Sequence, residues 1–288
     1  MIGSVIGVLF DGVAYGSLLF IIAVGLSVTL GLMNFVNLAH GTFAMIGGYV
    51  CVLLMTRAGV PFLATLPIAF AAAALVGLVL EVTLYRRLYK ASPLDQVLFS
   101  IGIVFMSIAV ATYWFGASQQ PVALPPYLRG QVHLPGLDLG VYRIFLIAIV
   151  AALTLALQYL LERTRFGSQV RASVDNATAA AGLGINVNRV FALTFALGSG
   201  LAGLGGALGI DVLGLDPTFP LKYIVYFLLV VSVGGSGTMK GPLIAALILG
   251  VFDVAGKYYL PQIGGFVIYA LMVILLIVFP AGLYGRRA

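Results

Sequence analysis

The sequence predicts an all-α polytopic membrane protein of eight or nine transmembrane helices, with broken or re-entrant segments and a short cytoplasmic helix in one polar loop. Three observations predict it. Of the 288 residues, 62% are hydrophobic and 8% are charged, whereas a soluble domain is about 45–50% apolar and about 25% charged. Nearly uncharged runs of about 18 residues or more, enough to cross hydrocarbon as a helix, recur along the whole length. The 36 glycines follow no triplet period, which fits close helix packing and interrupted helices rather than a fibre.

The apolar runs place spans at 5–30, 38–56, 62–85, 97–116, 141–160, 191–213, 222–237, 242–256 and 264–280. The first is expected to belong to the mature chain, because no basic region precedes it in MIGSVIGVLFDG. Residues 222–237 and 242–256 are short and flank Gly234-Gly235-Ser236-Gly237 and Lys240-Gly241-Pro242, the pattern of broken or re-entrant helices. Ser92-Pro93 and Asp95 before the fourth run form an N-cap signal.

Arginine and lysine placement sets the expected orientation. Arg86, Arg87 and Lys90 form one cluster, and residues 161–190 carry Arg163, Arg165, Arg171 and Arg189. Two crossings separate these clusters, so both are expected in the cytoplasm. Nine crossings then put the C-terminus, with Arg286 and Arg287, in the cytoplasm and the N-terminus outside. The outer face receives 117–140, Asp211 and Asp216, with Arg129 an exception to the bias.

Charge and cysteine count exclude other classes. The formal net charge of +6 comes from loop residues that act as topology signals, so nucleic acid is not implied. The lone Cys51 excludes an intramolecular disulfide and a cysteine-rich metal site. His40 and His133 lie far apart with no carboxylate cluster, so no metal site or cofactor is expected. No GxxxxGK[ST] sequence is present. No spacing of serine, histidine and acid suggests a catalytic triad, so the chain is not expected to be an enzyme.

Three groups of residues, besides a few scattered acids, are candidates for function. Asn34, Asn37 and His40, followed by Gly41, interrupt an apolar region. Buried amides without partners cost a few kcal/mol, so these groups either bond to backbone at a helix break beside a translocation path or form a polar turn at the membrane surface. The small-residue faces Gly41/Ala44/Gly48 and Gly198/Ala202/Gly205/Gly206/Gly209 either pack helices closely or line a smooth pore, and packing is the preferred reading. The acids Asp11, Glu81 and Asp253 are scattered. They read as interfacial charges rather than a proton relay, with Glu81 expected beside Arg86.

The third group is the polar loop at 161–190. A helix is expected from Ser168 to Gly182, with Asp175 and Asn176 in its middle, ended by Gly182-Leu183-Gly184. This makes a compact knob. Its small apolar residues suit a protein groove better than anionic lipid, which favours bulkier residues and more lysine.

At this loop and at residues 34–40 the chain resembles the LivH-type membrane permeases of bacterial branched-chain amino acid ABC transporters. The matching segments are GLSVTLGLMNFVNLAHGTFAMIGGYV, TRFGSQVRASVDNATAAAGLGINVNRVFALTFALGSGLAGLGG, VVSVGGSGTMKGPLIAALILGVF and FPAGLYG. One departure is Val36-Asn37-Leu38, which stands between Phe35 and Ala39 where the family commonly keeps Asn-Phe and Ala-His-Gly close together. The resemblance implies one permease domain over 1–288, in the bacterial cytoplasmic (inner) membrane. It implies a coupling loop at 161–190, with Gly167, Arg171, Asp175, Asn176 and Gly184 coupling to an ATPase. It also implies a second related permease subunit, two cytoplasmic ABC ATPase subunits, and a periplasmic or surface-tethered solute-binding protein. Related systems import leucine, isoleucine and valine, while others take urea, short amides or aromatic acids. An ion-coupled secondary carrier is the rival class; the scattered acids argue against it.

Overall fold

The computed structural model describes residues 2–33, 35, 37–89, 91–122, 124–134, 137–235, 239–279 and 282–284. These fold into α1 (Ile2–Met33), α2 (His40–Arg57), α3 (Phe62–Thr83), α4 (Pro93–Phe115), α5 (Val141–Arg163), α6 (Arg165–Asp175), α7 (Ala177–Gly182), α8 (Val187–Leu213), α9 (Phe219–Gly234), α10 (Lys240–Tyr259) and α11 (Gly264–Val278). Helix is the secondary structure that lets one segment satisfy all its own backbone groups in hydrocarbon. Among the described residues, α1, α3, α4, α5, α8 and α10 are long and apolar enough to cross a membrane. The apolar α9 and α11 are shorter.

Local chemistry sets the helix ends. The fourth helix starts earlier than the apolar run because Ser92 caps it. Ser92 Oγ accepts from Asp95 N at 3.2 Å and Asp95 Oδ2 accepts from Ser92 N at 3.3 Å, a capping box with Pro93 at the first turn. Gly235, at φ +87°, stops α9 in a conformation that side chains with a Cβ rarely adopt.

The fold is all-α, as expected, with one short addition: in the loop before α5, Gln131–Leu134 and Leu137–Gly140 pair as an antiparallel hairpin, β1 and β2, with His133 opposite Asp138. The His133 and Asp138 side chains meet at 2.6 Å across that pair. One expectation needs correction. The expected helix from Ser168 to Gly182 is broken in two at Asn176. There the backbone turns extended (φ −158°, ψ 97°), and the Asn176 side chain caps α7 by accepting from Ala179 N at 2.9 Å. Asparagine competes for backbone donors in this way, which favours caps over helix interiors.

The centre of the bundle is α1 and α8. In each, 78% of the apolar window is buried, against 17% for α4 and α5, so the latter two lie at the periphery. Glycine makes this centre dense. Gly25 faces Gly198, Gly47 faces Gly203, and Gly206 faces the Ala44 carbonyl, so that an added Cβ would collide with opposing backbone at Gly25, Gly47 and Gly206. The small-residue stripes on α2 and α8 are therefore used for close packing.

The two faces of the bundle are distinct. On one, Arg86 Nη2 lies 3.5 Å from the Asn188 carbonyl, and Tyr89 meets Phe191 edge-on at 5.8 Å. Arg86 and the 164–186 loop therefore share a side, as their basic residues imply. On the other face, Arg143 at the start of α5 pairs with Asp11, and Gln120 N donates to Leu215 O at 2.8 Å.

Candidate functional site

The polar loop is built back onto its own stem. Thr164 caps α6, accepting from Gly167 N at 3.3 Å, and donates to Leu160 O at 2.5 Å. Gly167 is buried, and a Cβ there would collide with the Leu161 carbonyl, so only glycine lets α6 fold this tightly against the end of α5. Arg171 donates to that same Leu161 carbonyl and to Ser168 Oγ at 3.4 Å. A cation at a helix C-terminus both bonds an orphan carbonyl and opposes the helix dipole. Val170 and Val190 form a small core with Val28, Leu161, Phe166, Ile185 and Phe191, which seats the knob on α1 and α8.

The five residues expected in coupling thus divide. Gly167 and Arg171 hold the knob together. Asp175, Asn176 and Gly184 are exposed on it, with Gly184 at φ +84° and open space around it. Residues 174–184 are exposed throughout, apart from the buried Ala180. Leu183 lies on this ridge with 83% of its surface exposed. Sequence reading passed over it, although a leucine between two glycines in a polar loop is itself a signal.

A second group lies beneath α2. Asn37 Oδ1 accepts from the Tyr85 hydroxyl at 3.1 Å and from Ala39 N at 3.0 Å. His40 Nε2 lies 2.8 Å from Ile22 O; a carbonyl only accepts, so Nε2 carries the proton. Gly41 lies against Pro220 at the start of α9. Asn34 falls outside the described residues. Asn37 and His40 are both buried, at 3% exposure, and their polar atoms bond within the bundle.

Depth follows from the partners. Ile22 stands well before the end of α1 at Met33, about 16 Å along the axis at about 1.5 Å per residue. Thr42 Oγ1 meets Ser107 Oγ at 3.0 Å, and Ser107 is about 21 Å into α4 by the same rise. The first turn of α2 therefore lies beside the middles of α1 and α4.

The knob and this node are physically continuous. Tyr85 packs on Phe35 at 5.2 Å, Phe99 at 5.3 Å and Phe195 at 4.9 Å. Tyr89 bridges Phe35 at 6.2 Å and Phe191 at 5.8 Å. Beside them the fully buried Glu81 accepts from Arg86 at 3.0 Å and from the Tyr89 hydroxyl at 2.6 Å. Burial, and then the bond to Glu81, push the Tyr89 phenol well above its ordinary range, so it stays protonated and donates. The expected Glu81–Arg86 pairing is present, with the carboxylate covered by protein. Asp253 is likewise covered, at 1% exposure, and lies 2.5 Å from Lys257 Nζ. Among the described residues, no group of three His, Cys, Asp or Glu side chains could hold a metal.

A glycine-packed bundle of membrane-length helices, with a polar knob on one face, defines a polytopic helical membrane protein. The chain belongs to the family described as branched-chain amino acid transport system / permease component, whose profile matches residues 8–276. It is a permease component and not an enzyme. It is 30% identical to the high-affinity branched-chain amino acid transport system permease protein LivH of Escherichia coli (strain K12), over 96% of this chain and 94% of that protein. It is 27% identical to the corresponding permease protein BraD of Pseudomonas aeruginosa, over 96% of this chain and 95% of that one. It is 28% identical to a probable branched-chain amino acid transport permease protein LivH of Methanocaldococcus jannaschii, over 96% and 92%. No solved structure matches the chain.

Proposed function

We propose that this chain is the membrane permease subunit of an ABC importer for leucine, isoleucine and valine. The match over 96% of the chain to a permease named for branched-chain amino acid transport carries the reading. The chain sits in the bacterial cytoplasmic membrane and crosses it nine times, through every helix except α6 and α7, with its N-terminus outside. A second related permease completes the path, two ABC ATPase subunits bind beneath, and a periplasmic or surface-tethered binding protein delivers the solute. Residues 161–190 are the coupling loop of a single permease domain.

In this mechanism the ATPases close on ATP and press on the exposed ridge around Asp175, Asn176 and Gly184. Gly167 and Arg171 keep the knob stiff enough to pass the push to α5 and α8. Val190, Phe191 and Phe195 carry it to Tyr89 and Tyr85, and so to Asn37. The segment at 37–41 re-enters the bundle, and its displacement opens the path alternately to either side. The buried polar contacts of Asn37 and His40, beside the middles of α1 and α4, support this placement.

The test is reconstitution with both permeases, the ATPases and the binding protein, followed by ATP-dependent uptake of labelled leucine, valine, urea, acetamide and benzoate. Leucine or valine uptake is expected. Uptake confined to another solute would replace the substrate, and uptake without the ATPases would replace the mechanism.

A further inference from the structure

Four helices converge on one ion pair away from the knob. Asp253 of α10 is 1% exposed, and its Oδ2 lies 2.5 Å from Nζ of Lys257, one turn further along the same helix. The second carboxylate oxygen, Oδ1, is buried and has no hydrogen-bond partner among the described residues. Lys257 Nζ also lies 5.6 Å from the Tyr15 ring of α1 and 6.0 Å from the Tyr226 ring of α9. Tyr269 of α11 stands 6.3 Å from Tyr226. This cluster is at the face opposite the knob, since Tyr15 is one turn from Asp11, which pairs with Arg143 beside the hairpin.

The arrangement is odd for a purely structural pair. A buried ion pair is tolerable only when its remaining lone pairs and protons are also satisfied, and a bare buried acceptor is costly. Here Oδ1 has no donor, while the lysine side chain is half exposed and its ammonium has three donors to place. Tyrosine rings beside a carboxylate make a cage for an ammonium group, and here they stand about the ammonium of the half-exposed Lys257. Ionisable groups inside a membrane domain commonly mark a solute or ion path.

We infer that Asp253 and Lys257 form a receptor for the zwitterionic head group of an amino acid at the outer mouth of the path. The α-ammonium of the solute bonds Asp253 Oδ1 under the Tyr15 and Tyr226 rings, and its α-carboxylate takes a free donor of Lys257. The four charges sum to zero, so the loaded site adds no net charge to the membrane interior. Urea and short amides carry no charge for either group, and benzoate has nothing for Asp253. The inference rests on the proposed reading as an amino acid permease and supplies the residues that would make it selective.

Two measurements test it on the assembled transporter. In the unmodified protein, lysines are acylated with an amine-reactive ester and quantified by mass spectrometry, with leucine titrated into the millimolar range. Lys257 and Lys222 are equally exposed, at 50% and 51% of their side chains, so Lys222 is the internal control. Leucine is expected to suppress labelling of Lys257 and not of Lys222, while urea and benzoate suppress neither. Unchanged labelling of Lys257 with leucine overturns the site, even where leucine is transported.

The second measurement is leucine uptake by the double variant Asp253→Leu/Lys257→Met. Replacing both partners of a merely structural pair by apolar residues is close to neutral. The variant is expected to assemble and to keep ATP hydrolysis stimulated by the binding protein, with uptake down about tenfold or more, the worth of one hydrogen bond to a charged group. Uptake at the wild-type rate overturns the site alone. Import of only urea or benzoate by the wild-type transporter overturns the amino acid reading and the site together. A double variant that fails to assemble leaves the decision to the labelling of the unmodified protein.

Discussion

The Tyr85 hydroxyl donates to Asn37 Oδ1 at 3.1 Å, joining residues 48 positions apart. Tyr85 is fully buried, and Asn37 Nδ2 has no partner among the described residues. Among the described residues, Tyr85 is therefore one of two groups that bond Asn37, the other being Ala39 N. Removing it with Tyr85→Phe leaves a weakened buried amide, at a cost of about 1–3 kcal/mol. The expected result is a lower thermal unfolding midpoint in detergent, with transport reduced by more than the loss of folded protein explains. An unchanged midpoint and uptake rate would show that this bond contributes neither to stability nor to the transmission from α8 to Asn37.

The approach of α2 to α8 gives a second prediction. A Cβ at Gly47 would collide with Gly203 backbone, and one at Gly206 with the Ala44 carbonyl. Gly47→Val should separate the helices, at the cost typical of overpacking, about 1–3 kcal/mol. Gly102→Val, on peripheral α4 with open space around its added Cβ, should leave the unfolding midpoint nearly unchanged. Equal effects of the two would mean that α2–α8 packing does not limit stability.

Some of this architecture can be read from sequence, for identifiable reasons. The Ser92–Asp95 capping box and the Glu81–Arg86 pair lie within one or two helical turns, where spacing alone predicts contact. The small residues of α2 and α8 announce close packing, because few other uses explain glycine in an apolar helix. The break at Asn176 was missed because an asparagine before an alanine run fits a helix interior or a cap equally well until the backbone is seen. The hairpin at 131–140 was missed because its alternating residues are few and lie within a loop. The Asn37–Tyr85 bond was illegible, since periodicity places residues on faces and says nothing of partners on distant helices. The burial of Asp253 was hidden for a related reason: a carboxylate near a helix end shows nothing of what covers it, and only the packing of α1, α9 and α11 around it buries it.

Glu81 provides a third prediction. Its carboxylate is fully buried and is held by Arg86, whose side chain is 34% exposed, and by Tyr89. Breaking a buried ion pair from one side costs about 3–5 kcal/mol, and solvent at the arginine lowers this. Arg86→Ala should destabilise the protein by about 2–3 kcal/mol on those grounds. Glu81→Gln/Arg86→Ala should recover part of that loss, because no buried charge is then left alone. Thermal unfolding of the three proteins in one detergent checks this. A double variant no more stable than Arg86→Ala would show that Arg86 stabilises through its packing or its Asn188 contact instead.

The last prediction separates the residues that build the knob from those that present it. Gly167→Ala drives a methyl into the Leu161 carbonyl and should tilt α6 away from α5, lowering both stability and association with the ATPases. Leu183 is 83% exposed and makes little contribution to the fold, so Leu183→Ser should leave the unfolding midpoint unchanged. Burying a leucine side chain is worth about 1.5–3 kcal/mol, and about 1.4 kcal/mol is tenfold in affinity. If the 174–184 ridge seats in an ATPase groove, Leu183→Ser should weaken co-purification of the ATPases about tenfold or more, and uptake should fall with it. Full association of that variant, with Gly167→Ala still impaired, would assign the docking surface to another part of this face and leave α6 and α7 as its support.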